Sequence, residues 1–309
     1  MSSATDDLPK GPALTAPSVR LFAILARSAR RAVVFRRGPS KQVLLLSWNT
    51  ETDEVTPGQW FKGRLYERRA DLSPSGDKLV YFAAKYRAPL DTWTAVSRPP
   101  WLTALALWPR GGAWGGGGLF DTESRLRLNH WGSAMELAQG FQLPSRFQVE
   151  LLWERSGTGE DFPIYDFRLR RDGWRCTQPG TAELRSTVPS MYFTYDPALT
   201  YRKPRPGRGA GGLELQMRIL GLKEINGPWY VVEYDLLDEA SEDLLSLGRL
   251  DWAEWDVTGE LLFARDGRLY RVEPRRHRGA WEVGEPREVA DLRGYVFQGR
   301  EAPPKATRW

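Results

Sequence analysis

Apolar segments of strand length, a high aromatic content and a repeated strand–turn–strand unit predict an all-β chain. The arrangement they favour is a β-propeller, five-bladed with six blades as the alternative, carrying loop insertions. The segments are Ala32–Phe35, Gln42–Trp48, Leu79–Ala83, Trp93–Val96, Phe147–Trp153, Trp229–Tyr234, Leu261–Ala264 and Leu269–Val272. They have the length of strands rather than helices. Many are bounded by Gly, Pro, Asp or Ser. The 309 residues include 14 Trp, 11 Tyr and 12 Phe, side chains that suit a pleated, half-buried surface.

The repeated unit separates a propeller from a sandwich or open array. Residues 70–83 read ADLSPSGDKLVYFA and residues 253–264 read AEWDVTGELLFA. Each runs strand, turn ending in Gly, then apolar strand. Ser73 or Asp256 opens the turn by a side-chain hydrogen bond, Pro74 presets φ, and Gly76 or Gly259 supplies a positive φ. The second copy continues through Asp266-Gly267 into a further hairpin. A third copy, Ala26–Phe35, keeps the strand without the Gly. These segments resemble the repeat of TolB-like, WD-type β-propellers, whose usual form is S-P-D-G before an apolar strand. Here Ser75 stands for the Asp, and Val257 for the Pro. The resemblance implies a propeller and carries no catalytic residue.

Blade starts near residues 20, 66, 113, 187 and 250 account for five blades. A sixth needs Glu150–Cys176 to form its own. Closure predicts that Val19–Leu25 and Gly294–Gln298 share one blade. Helix signals are confined to Ser133–Gln142, capped by Ser133 with Glu136 three residues on, and Glu239–Leu247, which reads equally as a turn before a strand. Residues 1–17 form a flexible N-terminal tail, 18–300 a single domain and 301–309 a C-terminal tail.

Hydrophobic residues make up 41% and charged residues 27%, the balance of a globular chain with a sizeable core. The net charge is +5, from 44 Lys and Arg against 39 Asp and Glu, with only eight Lys. Guanidinium forks recognise carboxylate and phosphate. The acidic residues are interspersed, however, and no basic stripe dominates, which disfavours nucleic acid. A single cysteine, Cys176, excludes an intramolecular disulfide and fits a reducing compartment. The polar N-terminus lacks a basic start and an apolar stretch. Runs such as Leu21–Ala26 are too short to span a bilayer. The expectation is a cytoplasmic protein without membrane insertion.

Arg110-Gly111-Gly112-Ala113-Trp114 and Gly115–Gly118 form the most unusual run. No Lys-Ser/Thr pair or helix follows, so it is no phosphate cradle. It reads as a flexible inter-blade connection or a strand bent by glycines, with a mobile lid carrying Trp114 as its functional alternative. Basic clusters occur at Arg27, Arg30, Arg31, Arg36 and Arg37, at Arg202, Lys203, Arg205 and Arg208 beside Tyr201, and at Arg275, Arg276, His277 and Arg278. Solvated charge accounts for them more simply than nucleic-acid binding. His130 and His277, with Cys176, speak against a zinc site. His130 reads as a buried, hydrogen-bonded residue, and no G-x-S-x-G elbow supplies a triad serine. Asp121, Glu123, Asp161, Asp166, Asp251, Glu254 and Asp256 show no spacing that singles out an acid–base pair.

No catalytic residue, cofactor or metal is therefore assigned. Binding candidates are Trp114, Arg110, Tyr201, Arg202, Arg205 and His130. The predicted role is a non-enzymatic binding or scaffold module for a protein or peptide partner. The alternative is a hydrolase or lyase acting on a carbohydrate or peptide in the central channel.

Overall fold

The computed structural model describes residues 19–39, 41–183, 191–207, 212–224 and 227–309. The expected tail 1–17 and Arg208 lie outside them. The chain is all-β, with several antiparallel sheets and one α-helix among the described residues. The first sheet holds β1 (Arg20–Leu25), β2 (Arg31–Arg37), β3 (Gln42–Asn49) and β4 (Val55–Lys62) in sequential order. The second holds β5 (Arg64–Leu72), β6 (Leu79–Arg87), β7 (Leu90–Ser97) and β8 (Ala104–Arg110) in the same way. The third has β9 (Gly118–Phe120), β10 (Arg125–Leu128) and β11 (Gln148–Leu151), with β10 and β11 parallel. Helix α1 (Phe162–Arg171) follows.

The fourth sheet runs β12 (Arg175–Gln178), β14 (Met191–Pro204), β15 (Leu213–Glu224), β16 (Tyr230–Asp238) and β17 (Leu244–Arg249), with β13 (Ala182–Glu183) beside β14. The fifth runs β18 (Trp252–Trp255), β19 (Leu261–Arg265), β20 (Arg268–Val272) and β23 (Arg287–Asp291). A separate hairpin, β21 (Pro274–His277) and β22 (Ala280–Val283), precedes that last strand.

Strands β1 to β3 carry continuous apolar runs because both of their faces are covered. Val33, Val34, Phe35, Leu45 and Leu46 have no exposure at all. The outermost strand β4 alternates instead. Both repeated turns form as the sequence requires. Gly76 N–H donates to Ser73 O at 2.8 Å, and Gly259 N–H to Asp256 O at 3.1 Å. The two glycines have φ of 78° and 84°. Asp266 and Gly267 both take positive φ between β19 and β20, the condition of a type I′ hairpin.

Four expectations change. Ser133–Gln142 is no helix beyond a 3-10 turn at Gly132–Ala134. Ala138 N–H bonds outward to Leu107 O, and Met135 and Leu137 pack on the Val80–Trp108 core with a strand-like spacing of two. Glu150–Cys176 forms no sheet of its own; it holds the end of β11, α1 and the start of β12. Helix α1 has Pro163 in its first turn and three arginines in its last, the positions that φ and the helix dipole favour.

Gly294–Gln298 is not a strand, and the first and last sheets share none. They meet through side chains. Arg36 donates to Leu292 O and Arg293 O, both at 2.9 Å. Arg271 reaches Asp53 and Thr50 O, and Trp48 lies edge-on to Trp252. The expected C-terminal tail is a strap instead. Phe297 packs on Trp60, Ala306 is buried, and Trp309 packs on Phe147 while its Nε1 donates to Gln142 O.

Candidate functional site

Arg110, Trp114 and His130 fall in one corner, between the second and third sheets. His130 is fully buried. Its Nδ1 lies 2.9 Å from Ala134 O, an acceptor only, so Nδ1 carries the proton. Nε2 therefore accepts from Thr94 Oγ1 at 2.8 Å, and Thr94 Oγ1 accepts from Gly117 N–H at 2.8 Å. Burial pushes the imidazole down to about 4. This is a neutral structural histidine with both nitrogens engaged.

The second half of the glycine run beside it is tightly packed, while Gly111 and Gly112 have open space around them. Gly115 to Gly118 are buried. A Cβ on Gly117 would stand 2.2 Å from Arg69 O, and one on Gly116 2.3 Å from the Phe82 ring. The chain passes there because only glycine fits. Trp114 is exposed, and Arg110 Nη2 holds its carbonyl at 2.9 Å.

Tyr201, Arg202 and Arg205 lie elsewhere, on and just after β14. Tyr201 is buried and donates to Asp166 Oδ1 at 2.6 Å. Arg202 Nε donates to Gln216 Oε1. Arg205 donates to Gly259 O and Pro274 O and lies over the rings of Trp255 and Trp281. The six candidates thus split into two groups, each mostly engaged in internal bonds. Cys176 is half-buried on β12 opposite Tyr201, and His277 is exposed on β21.

Two cavities lie where β1, β5, α1, β15, β16 and β18 approach one another. One cavity of about 460 Å³ is lined by Ala23–Arg27 with Trp174, Met217, Trp252 and Glu254. A second, of about 220 Å³, is lined by Val19–Leu21 with Glu67, Tyr230 and Asp251. Phe22 borders both. Between them the Arg68 guanidinium sits 4.0 Å from the Tyr230 ring, 4.9 Å from Phe22 and 5.2 Å from Tyr165. Arg68 also pairs with Glu67 at 3.3 Å. An arginine in an aromatic cage, stabilised by ring quadrupoles and an ion pair, divides the interior.

Six of the seven carboxylates singled out by sequence are held by cations. Asp121 pairs with Arg127, Glu123 with Lys78, Asp161 with Arg69 and Asp166 with Arg170. Glu254 binds Lys203 at 2.9 Å and Trp174 Nε1 at 2.9 Å, and Asp256 binds Arg271 at 2.6 Å. Asp251 differs. It accepts Leu21 N–H at 3.1 Å and has no cation within 4 Å among the described residues. Burial raises its carboxyl to about 6, against the pull of Leu21 N–H and Arg20.

Glu67 lines the same cavity with the opposite tuning. Burial works to raise it, but Arg37 and Arg68 outweigh that and hold it below its usual range. Arg37 Nη1 reaches both of its oxygens at 3.0 Å. Sequence reading passed over Glu67-Arg68-Arg69, although three consecutive charges inside a strand are a visible sign of a buried ionic site. No group of three or more His, Cys, Asp or Glu among the described residues is arranged to hold a metal ion. No helix among them is long and apolar enough to cross a membrane.

No family model and no curated protein matches the chain. Among solved structures it is similar to an acylaminoacyl peptidase in complex with Z-Gly-Gly-Phe-chloromethyl ketone, at 11% identity and a TM-score of 0.36. That match covers 90% of this chain and 53% of the peptidase, so the chain spans about half the peptidase's length. The uncharacterized protein lmo1340 from Listeria monocytogenes EGD-e matches at 8% identity and a TM-score of 0.24, over 91% of this chain and 69% of its own. A putative 6-phosphogluconolactonase from Bacteroides fragilis NCTC 9343 matches at 11% identity and a TM-score of 0.23, over 91% and 98%.

Proposed function

We propose that the five sheets are blades of a propeller and that the chain is a non-catalytic binding module for a protein or peptide partner. Sheet starts at Arg20, Arg64, Gly118, Arg175 and Trp252 support the blade reading, because a new sheet begins at each and the first two are antiparallel meanders. The observation that carries the binding reading is the divided interior. Arg68 and its rings divide the axial space, and the carboxylates of the larger cavity, Asp172 and Glu254, are taken by Arg171 and Lys203. A propeller with a divided axis offers its loops and outer grooves to a partner.

Affinity capture with the full chain, followed by cross-link mapping, tests this reading. The expected result is a specific partner and no turnover of a glycan or peptide library. Turnover without a partner would overturn it.

Asp251 and Glu67 favour a second reading, a hydrolase or lyase. Two carboxyls tuned apart in one cavity are the pattern of an acid and a base. That reading predicts turnover by the wild-type chain that both Asp251→Asn and Glu67→Gln abolish.

A further inference from the structure

We propose that a basic groove between the first and second sheets binds an acidic peptide segment of the partner. The proposal rests on the binding-module reading and names the ligand chemistry. The groove has a volume of about 880 Å³ and is lined by Arg20, Arg37, Lys41, Arg64, Lys85 and Tyr86, with no Asp or Glu among its described lining residues.

Many arginines elsewhere are neutralised in ion pairs, while others, such as Arg36 and Arg168, spend their N–H groups on backbone carbonyls. Arg31, Arg69, Arg127, Arg171, Arg218 and Arg271 each have a carboxylate within 3 Å. In the groove only Arg37 has one, Glu67. No ion pair within 4 Å engages Arg20, Lys41, Arg64 or Lys85 among the described residues. Burial and the neighbouring Arg37 hold the Arg20 guanidinium below its ordinary value, although Asp251, Glu224 and Glu67 pull the other way without an ion pair. Tyr66 and Tyr86 favour the charged form of Arg64, but no carboxylate lies among these cations; gathered around one concavity they repel one another, and an anion relieves that repulsion.

The groove is also pre-organised. The β6–β7 register passes from Ala84↔Thr92 to Arg87↔Leu90, leaving Lys85 and Tyr86 in a bulge, a device that re-aims side chains. Tyr86 and Lys41 take φ of 52° and 59°, uncommon for residues with a Cβ. Lys85 Nζ lies 5.6 Å from the Phe61 ring, and Arg64 lies over Tyr66 and Trp229 at 5.5 and 6.0 Å. Cations already held on rings lose less freedom when a ligand arrives.

Carboxylates along a chain suit this groove better than a compact phosphate. A phosphate cradle needs converging backbone N–H groups or a helix N-terminus. The N–H groups of Gly38 and Gly63 are spent on Gln42 O and Lys41 O, and α1 does not line the groove.

The test is fluorescence anisotropy of the full chain with a labelled, glutamate-only peptide of about ten residues. The expected result is binding that weakens about tenfold or more in the double variant Lys41→Glu/Lys85→Glu and falls as salt rises. Arg275→Glu, an exposed cation on β21, serves as the control and leaves binding unchanged. Equal loss in that control, or displacement of the peptide by inorganic triphosphate at lower concentration, overturns the proposal. A captured partner retained in full by the double variant also sinks the groove while leaving the binding-module reading intact. Thermal melting of each variant shows that the fold persists.

Discussion

Around His130 the chain gives each ring nitrogen a partner and leaves no room for one more carbon. Around Asp251 it buries a carboxyl with one N–H and no bonded cation. Both regions are polar and enclosed, yet in the first, tight glycine packing and a chain of hydrogen bonds fix one arrangement. In the second, Glu67 is held by Arg37 and Arg68 while Asp251, on the same cavity, is left without an ion pair. Buried polar networks that are fully satisfied specify a structure. Those that are not carry tension that a ligand or a proton can release.

The largest effect that would break this contrast lies in the glycine corner. Gly117→Ala puts a Cβ against Arg69 O at a φ of +81°. Backbone clash and left-handed strain should cost about 4 kcal/mol or more, read by urea unfolding. A cost under about 1 kcal/mol would show the corner to be loose.

Next is His130→Ala, which removes the ring and strands Thr94 and Ala134. It should cost about 3 kcal/mol. The histidine also fixes the sign of a pH effect. Its folded value of about 4 lies below the ordinary 6.5, so the unfolded chain takes the proton first. The stability it contributes is complete above about 6.5 and is lost as pH falls toward 4. His130→Ala should flatten that part of the stability profile.

Asp251 runs the other way over nearly the same window. Its folded value of about 6 lies above the usual 3.8, so the folded chain holds the proton longer. Stability falls as pH rises from about 4 to 6, and the penalty is full above that. Asp251→Asn should therefore gain about 3 kcal/mol at pH 7.5 and nothing near pH 4. An equal gain at both values would show that ionisation is not the cause. The smallest effect is at Trp114. Its indole is exposed, so Trp114→Ala should change stability by no more than about 0.5 kcal/mol.

The strands and turns were legible because their causes are local. Ser73 and Gly76, Asp256 and Gly259, and Asp266-Gly267 set their turns by φ and by short-range hydrogen bonds. The apolar runs of β1 to β3 declare strands covered on both faces. Helix α1 was missed because its inward face mixes Ile164 and Leu169 with Tyr165 and Arg168, a pattern that looks polar in sequence. The second half of the glycine run was misjudged as mobile because flexibility of the unfolded chain and closeness of packing both select glycine. The Asp251–Glu67 cavity and the basic groove were illegible for another reason. Asp251 and Glu67 lie far apart in the chain, and the groove gathers residues from Arg20 to Tyr86.

The sequence by itself determined that the chain forms short strands joined by defined turns, because backbone dihedrals and side-chain periodicity act over a few residues. Only the tertiary structure decided which charges are neutralised and which are not. Burial and ion pairing depend on neighbours from distant sheets, and 36 arginines in a row of letters do not say which of them will find a carboxylate.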